Sequence, residues 1–308
     1  MKKIFITRRI NPIAKELLSK YFTIGYNNEN IPLSVDKLAE VVKNYDGVLS
    51  TISEKFTSNI IAESNIKVIS NYAIGLDNID LIAAKNKGIA VFNTPDVVTE
   101  STADLTFALL LSLIRKIQPS VNFAREGKWS SWDPEIFLGE ELFNKTIGII
   151  GLGRVGAAVA RRAKAFGMKV IYFDINPKLS KDYEKVSLDN LLENSDYISL
   201  HIPLIPQTND LINKDKFMKM KKKPILLNLS RGKVLNTADL VESLKNQTIR
   251  GACLDVTDPE PLNSNHPLYQ FTNCIITPHI GTATIECRYN MARLAAENII
   301  NFFKKEIL

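Results

Sequence analysis

Short apolar runs alternate with amphipathic stretches along almost the whole sequence, and this alternation restricts the fold more than any other feature. A short apolar run bounded by turn residues is typical of a strand buried on both faces, and an amphipathic stretch is typical of a covering helix. The pattern therefore predicts an α/β fold with parallel sheets. The predicted strands form a first series (Ile4–Thr7, Phe22–Tyr26, Gly47–Ser50, Lys67–Ser70, Ala90–Asn93) and a second series (Thr146–Ile150, Lys169–Phe173, Tyr197–His201, Ile225–Leu229, Gly251–Asp255, Cys274–Thr277).

Helical patterns separate and frame these strands. Three of them lie within the first series and two longer ones frame the second, at Pro12–Lys20, Val35–Lys43, Ile79–Asn86, Ser101–Phe123 and Thr284–Lys304. Gly88 follows the third helix and suits a left-handed C-terminal cap. We predict two doubly wound parallel-sheet domains, one of residues 1–98 and 284–308 and the other of residues 99–283. The first domain is discontinuous because the C-terminal helix returns to it.

Composition narrows the class of protein further. The chain has 308 residues, of which 45% are hydrophobic and 23% charged. These values are typical of a globular protein and exclude wholesale disorder, collagen-like repeats and disulfide scaffolds. No apolar run approaches the roughly 18 residues that cross a bilayer, and the N-terminus lacks the apolar stretch of a signal peptide. We therefore expect no membrane partner.

Charge and cysteine content indicate the ligands and the compartment. The net charge is +6, and because the lysines and arginines are spread along the chain, we expect small anionic ligands and no nucleic acid. The cysteines, Cys253, Cys274 and Cys287, are odd in number and lie in apolar surroundings. They predict reduced core thiols in a cytoplasmic protein.

A G-x-G-x-x-G pattern follows the predicted strand Thr146–Ile150 and opens a helical segment. Gly151 permits a tight turn, Gly153 lets a pyrophosphate approach the backbone, and Gly156 allows the helix to pack closely on the strand. Amides at the helix N-terminus can then bind the phosphates. Asp174, at the end of the next predicted strand, suits ribose hydroxyls and repels a 2′-phosphate, which predicts NAD(H) as the cofactor.

Three side chains capable of chemistry stand just beyond predicted strands of the second series. They are Arg231, Glu260 and His279. The carboxyl ends of parallel strands lie along one edge of a sheet, where such folds bind ligands, so we expect the three side chains at that edge. A rigid cation, a carboxylate and a histidine suit the binding of an anionic substrate and the transfer of a proton. Asp255 and Asp258 are alternatives to Glu260 as the carboxylate that pairs with the histidine.

Other motifs accompany the glycine pattern, at Asn71–Asp80, Asn228–Gly232, Leu254–Pro261 and Thr277–Gly281. Together these segments resemble the D-isomer-specific 2-hydroxyacid dehydrogenase family over nearly the full chain. The segment Trp129–Trp132 and the stretch 265–274 look most like the glyoxylate/hydroxypyruvate reductase branch. The resemblance implies that the first domain binds the substrate, that the second binds NAD(H), and that the protein is a homodimer.

The resemblance also implies roles for individual residues. Arg231 would hold the carboxylate and carbonyl oxygens of a small 2-oxo acid, and His279 would donate a proton to the carbonyl oxygen as hydride arrives from the nicotinamide. Glu260, rather than its neighbours, would pair with His279, and Asp255 would bind the nicotinamide carboxamide. The product would be the D-2-hydroxy acid.

Two further groups of residues are implied in the same way. Backbone amides around Ile74 and Gly75 would bind the substrate carboxylate, with Gly75 letting the chain curl into an anion nest. No metal is expected. The residues expected to contact the cofactor are Thr102, Gly151, Gly153, Arg154, Val155, Gly156, Asp174, His201, Pro203, Thr208, Asp255 and His279.

Other functions on this fold stay open at the level of sequence. One is a D-3-phosphoglycerate dehydrogenase or another 2-oxo acid reductase of the same family. A second, from a different class, is an NAD(H)-sensing binding protein of the corepressor type, which can retain the same charged residues.

Overall fold

The computed structural model describes residues 1–175 and 180–305, and the chain divides into two compact units. The first unit consists of Met1–Val98 and Thr282–Leu308, and the second unit is Thr99–Gly281. The sequence-based boundary at 283 lies two residues beyond the end of the second unit at Gly281. Residues 306–308, at the end of the predicted first domain, lie outside the described residues.

Each unit contains one sheet of parallel strands. The strands of the first unit are β1 (Lys3–Ile6), β2 (Thr23–Tyr26), β3 (Gly47–Ser50), β4 (Val68–Asn71) and β5 (Ala90–Phe92), and those of the second are β6 (Thr146–Ile150), β7 (Lys169–Phe173), β8 (Glu184–Lys185), β9 (Tyr197–Leu200), β10 (Ile225–Asn228), β11 (Gly251–Leu254) and β12 (Cys274–Ile276). Their orders are β2-β1-β3-β4-β5 and β12-β11-β10-β9-β6-β7-β8. In the second sheet, the strands that follow β6 are added first on one side of it, as β7 and β8, and then on its other side, from β9 onward. The position between β6 and β9 is therefore a switch point, which is where doubly wound sheets bind ligands.

Helices cover the sheets. They are α1 (Ile13–Leu18), α2 (Val35–Asn44), α3 (Ser58–Ala62), α4 (Leu81–Asn86), α5 (Thr99–Ile114), α6 (Ile117–Arg125), α7 (Arg154–Ala165), α8 (Leu188–Asn194), α9 (Lys214–Met218), α10 (Thr237–Lys245) and α11 (Ile285–Lys305), with short 3-10 helices at Gly232–Val234 and Pro267–Gln270. Helix α11 packs on α1 and β4, so the C-terminal segment belongs to the core of the first unit.

The central strands are buried on both faces, which explains their continuous apolar sequences. All four residues of β10 are buried, and alternate side chains enter opposite cores: Ile225 and Leu227 join one cluster and Leu226 the other. Burying such a side chain fully contributes about 1.5–3 kcal/mol. The two-domain α/β fold expected from the sequence is confirmed.

One helix prediction is wrong in its extent. The segment predicted as a single helix, Ser101–Phe123, forms α5 and α6, with Lys116 between them in the left-handed region at φ 51°. Pro119 lies in the first turn of α6. Proline lacks an N–H and its ring would clash with the carbonyl of Arg115 in a continuous helix, whereas the first turn of a new helix tolerates it.

Smaller features agree with local physical chemistry. Gly88 has φ +75°, the left-handed conformation expected at the end of α4. Asp80 caps the start of the same helix, its Oδ1 accepting from the amide of Ala83 at 2.9 Å. Within the described ranges, every helix is too short or too polar to span a bilayer.

Candidate active site

The glycine pattern forms the turn between β6 and α7 at the switch point of the second sheet. Gly151 has φ +93°, and a Cβ there would lie 2.6 Å from the carbonyl oxygen of His201. A Cβ on Gly156 would lie 2.0 Å from the carbonyl oxygen of Gly151, so any side chain would push the helix off the turn. A Cβ on Gly153 would meet no atom within 4 Å. The turn therefore leaves open space at Gly153, where the sequence predicts that a pyrophosphate approaches.

Helix α7 begins directly after this glycine, with Arg154 and Val155 as its first residues. Its first-turn amides and dipole favour an anion at this end. The carboxylate of Asp174 lies beside the same turn, where Oδ2 accepts from the amide of Leu152 at 2.7 Å. A negative charge is thus fixed next to the glycine turn, one strand away from β6.

The loop after β9 lines the other side of the switch point. His201 follows β9, its amide donates to Ile150 at 2.8 Å, and its Nε2 lies 2.8 Å from the hydroxyl of Ser199. Loss of hydration lowers the pKa of His201 to about 4, so this ring is neutral near pH 7. Farther along, Thr208 donates through Oγ1 to the carbonyl of Pro203 at 2.6 Å and closes the loop on itself.

His279 and Glu260 form a hydrogen-bonded pair. The distance between His279 Nδ1 and Glu260 Oε1 is 2.5 Å, and the two side chains are 29% and 38% exposed. Because Nδ1 is engaged by the carboxylate, Nε2 is the ring nitrogen left to face a ligand. Geometry thus selects Glu260 over Asp255 and Asp258 as the carboxylate that contacts this histidine.

The backbone of His279 is unusual because φ is +55°, in the left-handed region that side chains other than glycine seldom adopt. Asp255, only 2% exposed, lies beneath this turn. Its Oδ1 accepts from Thr277 Oγ1 at 2.6 Å and from the Ile280 amide at 2.8 Å, and its Oδ2 accepts from the Gly281 amide at 2.7 Å. These bonds hold the strained turn and so orient the histidine ring.

Sequence reasoning missed this function of Asp255, which it placed on the nicotinamide carboxamide. A carboxylate offers about four acceptor positions, and the bonds to the turn use three of them. The signal in the sequence was an acidic residue ending a buried strand, beside a turn that contains Gly281. A second polar contact reaches the same turn from α5, where Thr102 Oγ1 donates to the carbonyl of Gly281 at 3.4 Å.

Arg231 stands in the turn after β10. Its Nη1 donates to the carbonyl of Ser230 at 2.8 Å, and its own carbonyl accepts from Asn228 Nδ2 at 2.9 Å. A Cβ on Gly232 would lie 1.9 Å from the carbonyl oxygen of Thr257. The Arg231 turn therefore packs directly on the segment that leads to Glu260, which brings the carboxyl ends of β10 and β11 together.

Ile74 and Gly75 belong to the first unit, in the loop after β4. The side chain of Ile74 is 38% exposed, and its carbonyl accepts from Asn93 Nδ2 at 2.8 Å. Gly75 is not among the described glycines with positive φ. The loop takes its course from hydrogen bonds to its carbonyls.

Over residues 1–175 and 180–305, no group of three or more histidine, cysteine or acidic side chains is arranged to hold a metal ion. The charged groups at the carboxyl edge of the second sheet include Arg231 and the hydrogen-bonded pair of Glu260 and His279. Such a set can bind an anion and donate a proton.

Comparison with known proteins gives a consistent family. A family model described as D-isomer specific 2-hydroxyacid dehydrogenase, NAD binding domain, matches residues 107–281. The glyoxylate reductase of Korarchaeum cryptofilum is 39% identical over 313 residues, which cover 99% of this chain and 94% of that protein.

Solved structures with the same fold include two that are similar over nearly the whole chain. A crystal structure from Thermus thermophilus superposes with a TM-score of 0.93 at 40% identity and covers 98% of this chain and 97% of its own. The NADPH-dependent glyoxylate/hydroxypyruvate reductase of Sinorhizobium meliloti gives a TM-score of 0.85 at 29% identity, with 98% and 95% covered.

Proposed function

This chain belongs to the D-isomer-specific 2-hydroxyacid dehydrogenase family, and we propose that the 2-oxo acid it reduces is glyoxylate or hydroxypyruvate, with NADH as the reductant. The observation that carries the proposal is the 2.5 Å bond between His279 and Glu260. Names of relatives support the substrate, since the Korarchaeum protein is a glyoxylate reductase. The product from hydroxypyruvate is the D-2-hydroxy acid, whereas glycolate, the product from glyoxylate, has no stereocentre.

In this proposal His279 holds the proton that the carbonyl oxygen receives. Glu260 accepts from Nδ1 and stabilises the imidazolium, so that Nε2 carries a proton toward the substrate. Asp255 fixes the turn and keeps the ring in one orientation. A positioned acid of this kind accelerates a reaction by about 10²–10⁴-fold.

Substrate binding is assigned to Arg231 in the second unit and to the amides of Ile74 and Gly75 in the first. The guanidinium presents planar, permanently charged donors that match a carboxylate and its neighbouring carbonyl oxygen. Amide donors add hydrogen bonds without adding charge. A 2-oxo compound without a carboxylate is therefore expected to be a poor substrate.

The residues present fit a dinucleotide. Gly153 leaves room for a pyrophosphate, α7 directs its N-terminus at that position, and Asp174 fixes a negative charge nearby. Bound NADH supplies the hydride. We assign the cofactor contacts to Thr102, Gly151, Gly153, Arg154, Val155, Gly156, Asp174, His201, Pro203, Thr208, Asp255 and His279.

We assign a preference for NADH to Asp174, because its charge repels a 2′-phosphate. The Sinorhizobium structure makes this a point to test, since that protein is NADPH-dependent. In the present chain the carboxylate is held in place by the amide of Leu152, so it cannot turn aside without losing that bond.

We also propose a homodimer. Large apolar side chains are exposed along the segment from α6 to the start of β6: Ile117 (48%), Trp129 (69%), Trp132 (82%), Leu138 (58%) and Phe143 (63%). Exposed large apolar side chains concentrated in one segment favour an interaction surface, and aromatic residues are enriched in interfaces. The thiols of Cys253 and Cys274 are not joined in a disulfide, which supports the cytoplasm as the compartment.

A steady-state panel tests the function. Glyoxylate, hydroxypyruvate, 3-phosphohydroxypyruvate and 2-oxoisocaproate are compared with NADH and with NADPH, and we expect the highest kcat/KM for one of the first two with NADH. Preference for 3-phosphohydroxypyruvate would favour a phosphoglycerate dehydrogenase. Tight NADH binding without turnover of any 2-oxo acid would favour the NAD(H)-sensing alternative.

The same panel includes Asp174→Ala, with Asp182→Ala as a control at an exposed acidic position of the same unit. We expect the ratio of kcat/KM for NADH to that for NADPH to fall by about 10-fold or more in Asp174→Ala alone, as expected for loss of a charge repulsion of 1–2 kcal/mol. A wild-type preference for NADPH would contradict the role given to Asp174.

A further inference from the structure

We propose that Asn93 and Asn71 are positioning residues for the substrate carboxylate, and that the amide of Leu76 is a third donor beside those of Ile74 and Gly75. The inference rests on the proposed function, because the ligand is the carboxylate of the 2-oxo acid. It is carried by hydrogen bonds within the first unit, none of which involves a charged side chain.

The carbonyl groups of three consecutive residues in the loop after β4 are all anchored. That of Ala73 accepts from the Thr94 amide at 2.9 Å. That of Ile74 accepts from Asn93 Nδ2 at 2.8 Å, and that of Gly75 accepts from Asn71 Nδ2 at 2.8 Å.

The anchoring residues come from two neighbouring strand ends. Asn71 is the last residue of β4, and Asn93 directly follows β5. These strands pair in parallel with Ser70 opposite Phe92, so the two asparagines follow that pair at the same edge of the sheet. Their side chains therefore approach the loop from the sheet.

Peptide geometry converts anchored carbonyls into oriented amides. A trans peptide is planar, and its N–H points away from its C=O. Anchoring the carbonyl of Ala73 fixes the N–H of Ile74, anchoring that of Ile74 fixes the N–H of Gly75, and anchoring that of Gly75 fixes the N–H of Leu76. The three successive N–H groups of Ile74, Gly75 and Leu76, here called the amide row, thus point away from the anchoring residues.

These three amides have no hydrogen-bond acceptor anywhere in residues 1–175 and 180–305. The neighbouring amide of Ala73, by contrast, donates to the carbonyl of Asn71 at 2.8 Å. Ile74 is exposed and Gly75 and Leu76 are partly exposed, so these donors are open to a ligand, and a carboxylate has about four acceptor positions for such donors. The row suits a carboxylate, and its donors need no reorganisation when the ligand binds.

Asn71 itself is held in one orientation. It is fully buried, its Oδ1 accepts from Ser50 Oγ at 3.0 Å, and its Nδ2 also lies 3.0 Å from Asn78 Oδ1. These contacts determine which end of the amide faces Gly75. Replacing Asn71 would disturb several buried bonds at once, whereas Asn93 is only partly buried, so Asn93 is the better site for a test.

The experiment compares Asn93→Ala and the isosteric Asn93→Asp with Asn65→Ala. Asn65 is a matched control because its Nδ2 also donates to a distant carbonyl of the same unit, that of Lys43 at 2.8 Å, but on an exposed surface. We expect the KM for glyoxylate to rise about 5- to 20-fold in Asn93→Ala, as for loss of one oriented donor, and further in Asn93→Asp. The kcat and the KM for NADH are expected to change less than about 3-fold.

Methylglyoxal, an oxoaldehyde without a carboxylate, separates positioning from general damage. Its kcat/KM is expected to be the same in wild type and Asn93→Ala. Equal glyoxylate KM values in Asn93→Ala, Asn93→Asp and Asn65→Ala would overturn the inference, as would a parallel loss with methylglyoxal.

Binding of oxalate to the protein with NADH, measured by calorimetry, keeps the inference separate from the proposed activity. A weaker oxalate affinity in Asn93→Ala than in Asn65→Ala supports the amide row even if wild type reduces no 2-oxo acid, an outcome that would reject the proposed function alone. Unchanged oxalate affinity in an active enzyme would reject the amide row alone.

Discussion

The carboxyl edges of the two sheets offer different kinds of chemical group to a ligand. At the edge of the second sheet, the groups suited to substrate binding and proton transfer are charged or titratable side chains, Arg231, Glu260 and His279, each beyond its own strand end. At the edge of the first sheet they are backbone amides, oriented by the neutral side chains of Asn71 and Asn93. The edge of the second sheet is suited to proton transfer and to binding through charge. The edge of the first sheet is suited to binding an anion through oriented hydrogen bonds.

This difference predicts which kinetic constant a single substitution at each edge should change most. A side chain that performs chemistry is removed outright by mutation to alanine, and nothing nearby replaces it. A backbone amide remains after any such mutation, and only its orientation is lost. Losses in kcat should therefore be concentrated at the second edge and losses in affinity at the first.

The largest effect is expected for His279→Ala. Removal of the proton donor should lower kcat about 10³-fold, within the range for a positioned general acid, while NADH affinity changes little. His266→Ala is the control, because His266 Nδ1 accepts from the Leu268 amide at the start of a 3-10 helix. Stopped-flow and steady-state rates with glyoxylate measure the effect. A kcat loss no greater than that of Asn93→Ala would break the comparison between the two edges.

A smaller loss is expected for Glu260→Gln, which keeps the size of the side chain but removes its charge. The imidazolium then loses its stabilising partner, and kcat should fall about 10- to 100-fold because ring orientation is partly retained through the Asp255 turn. Asp258→Asn is the matched variant, since this neighbouring carboxylate is one of the two alternatives to Glu260 at the level of sequence. Comparable losses in both variants would show that the site responds to total charge and not to the Glu260 contact.

The smallest effect concerns stability and His201, which follows β9 at the edge of the second sheet. The pKa of His201 is lowered to about 4 from its ordinary 6.5, so between these values the unfolded chain binds a proton that the folded chain does not. The free energy of unfolding should therefore fall as the pH falls through this window, by about 2 kcal/mol at pH 5.

Urea unfolding without cofactor, between pH 7.5 and 5, measures this loss. In His201→Gln the dependence on pH should be shallower. An identical slope in the two proteins would mean that His201 is hydrated when folded.

Much of the fold could be predicted because its signals are local. The apolar strands and the glycine turn follow from residues next to one another in sequence. The sequence also contains the signal for the helix break at Lys116, because Pro119 cannot lie in the interior of a continuous helix. The edge strand β8, with only two residues, Glu184 and Lys185, is too short to leave a pattern.

The site could be predicted only where function resides in a side chain. Arg231, Glu260 and His279 were visible at strand ends, but the choice of Glu260 as partner needed the family resemblance and then a distance. The bonds of Asp255 to the His279 turn join residues 22 to 26 positions apart. The single hydrogen bond from Asn93 to Ile74 spans 19 positions. Contacts of this kind depend on the folded backbone and leave no periodic signal.

The amide row has an evolutionary consequence. Every residue except proline carries a backbone N–H, so no other substitution at positions 74–76 deletes a donor. The exposed side chain of Ile74 can therefore vary while the contact to the carboxylate, the group common to all 2-oxo acids, persists. The backbone of these three residues can thus bind the carboxylate while their side chains differ between related proteins. Substrate preference can therefore change through single side-chain substitutions without loss of the donors that bind every 2-oxo acid.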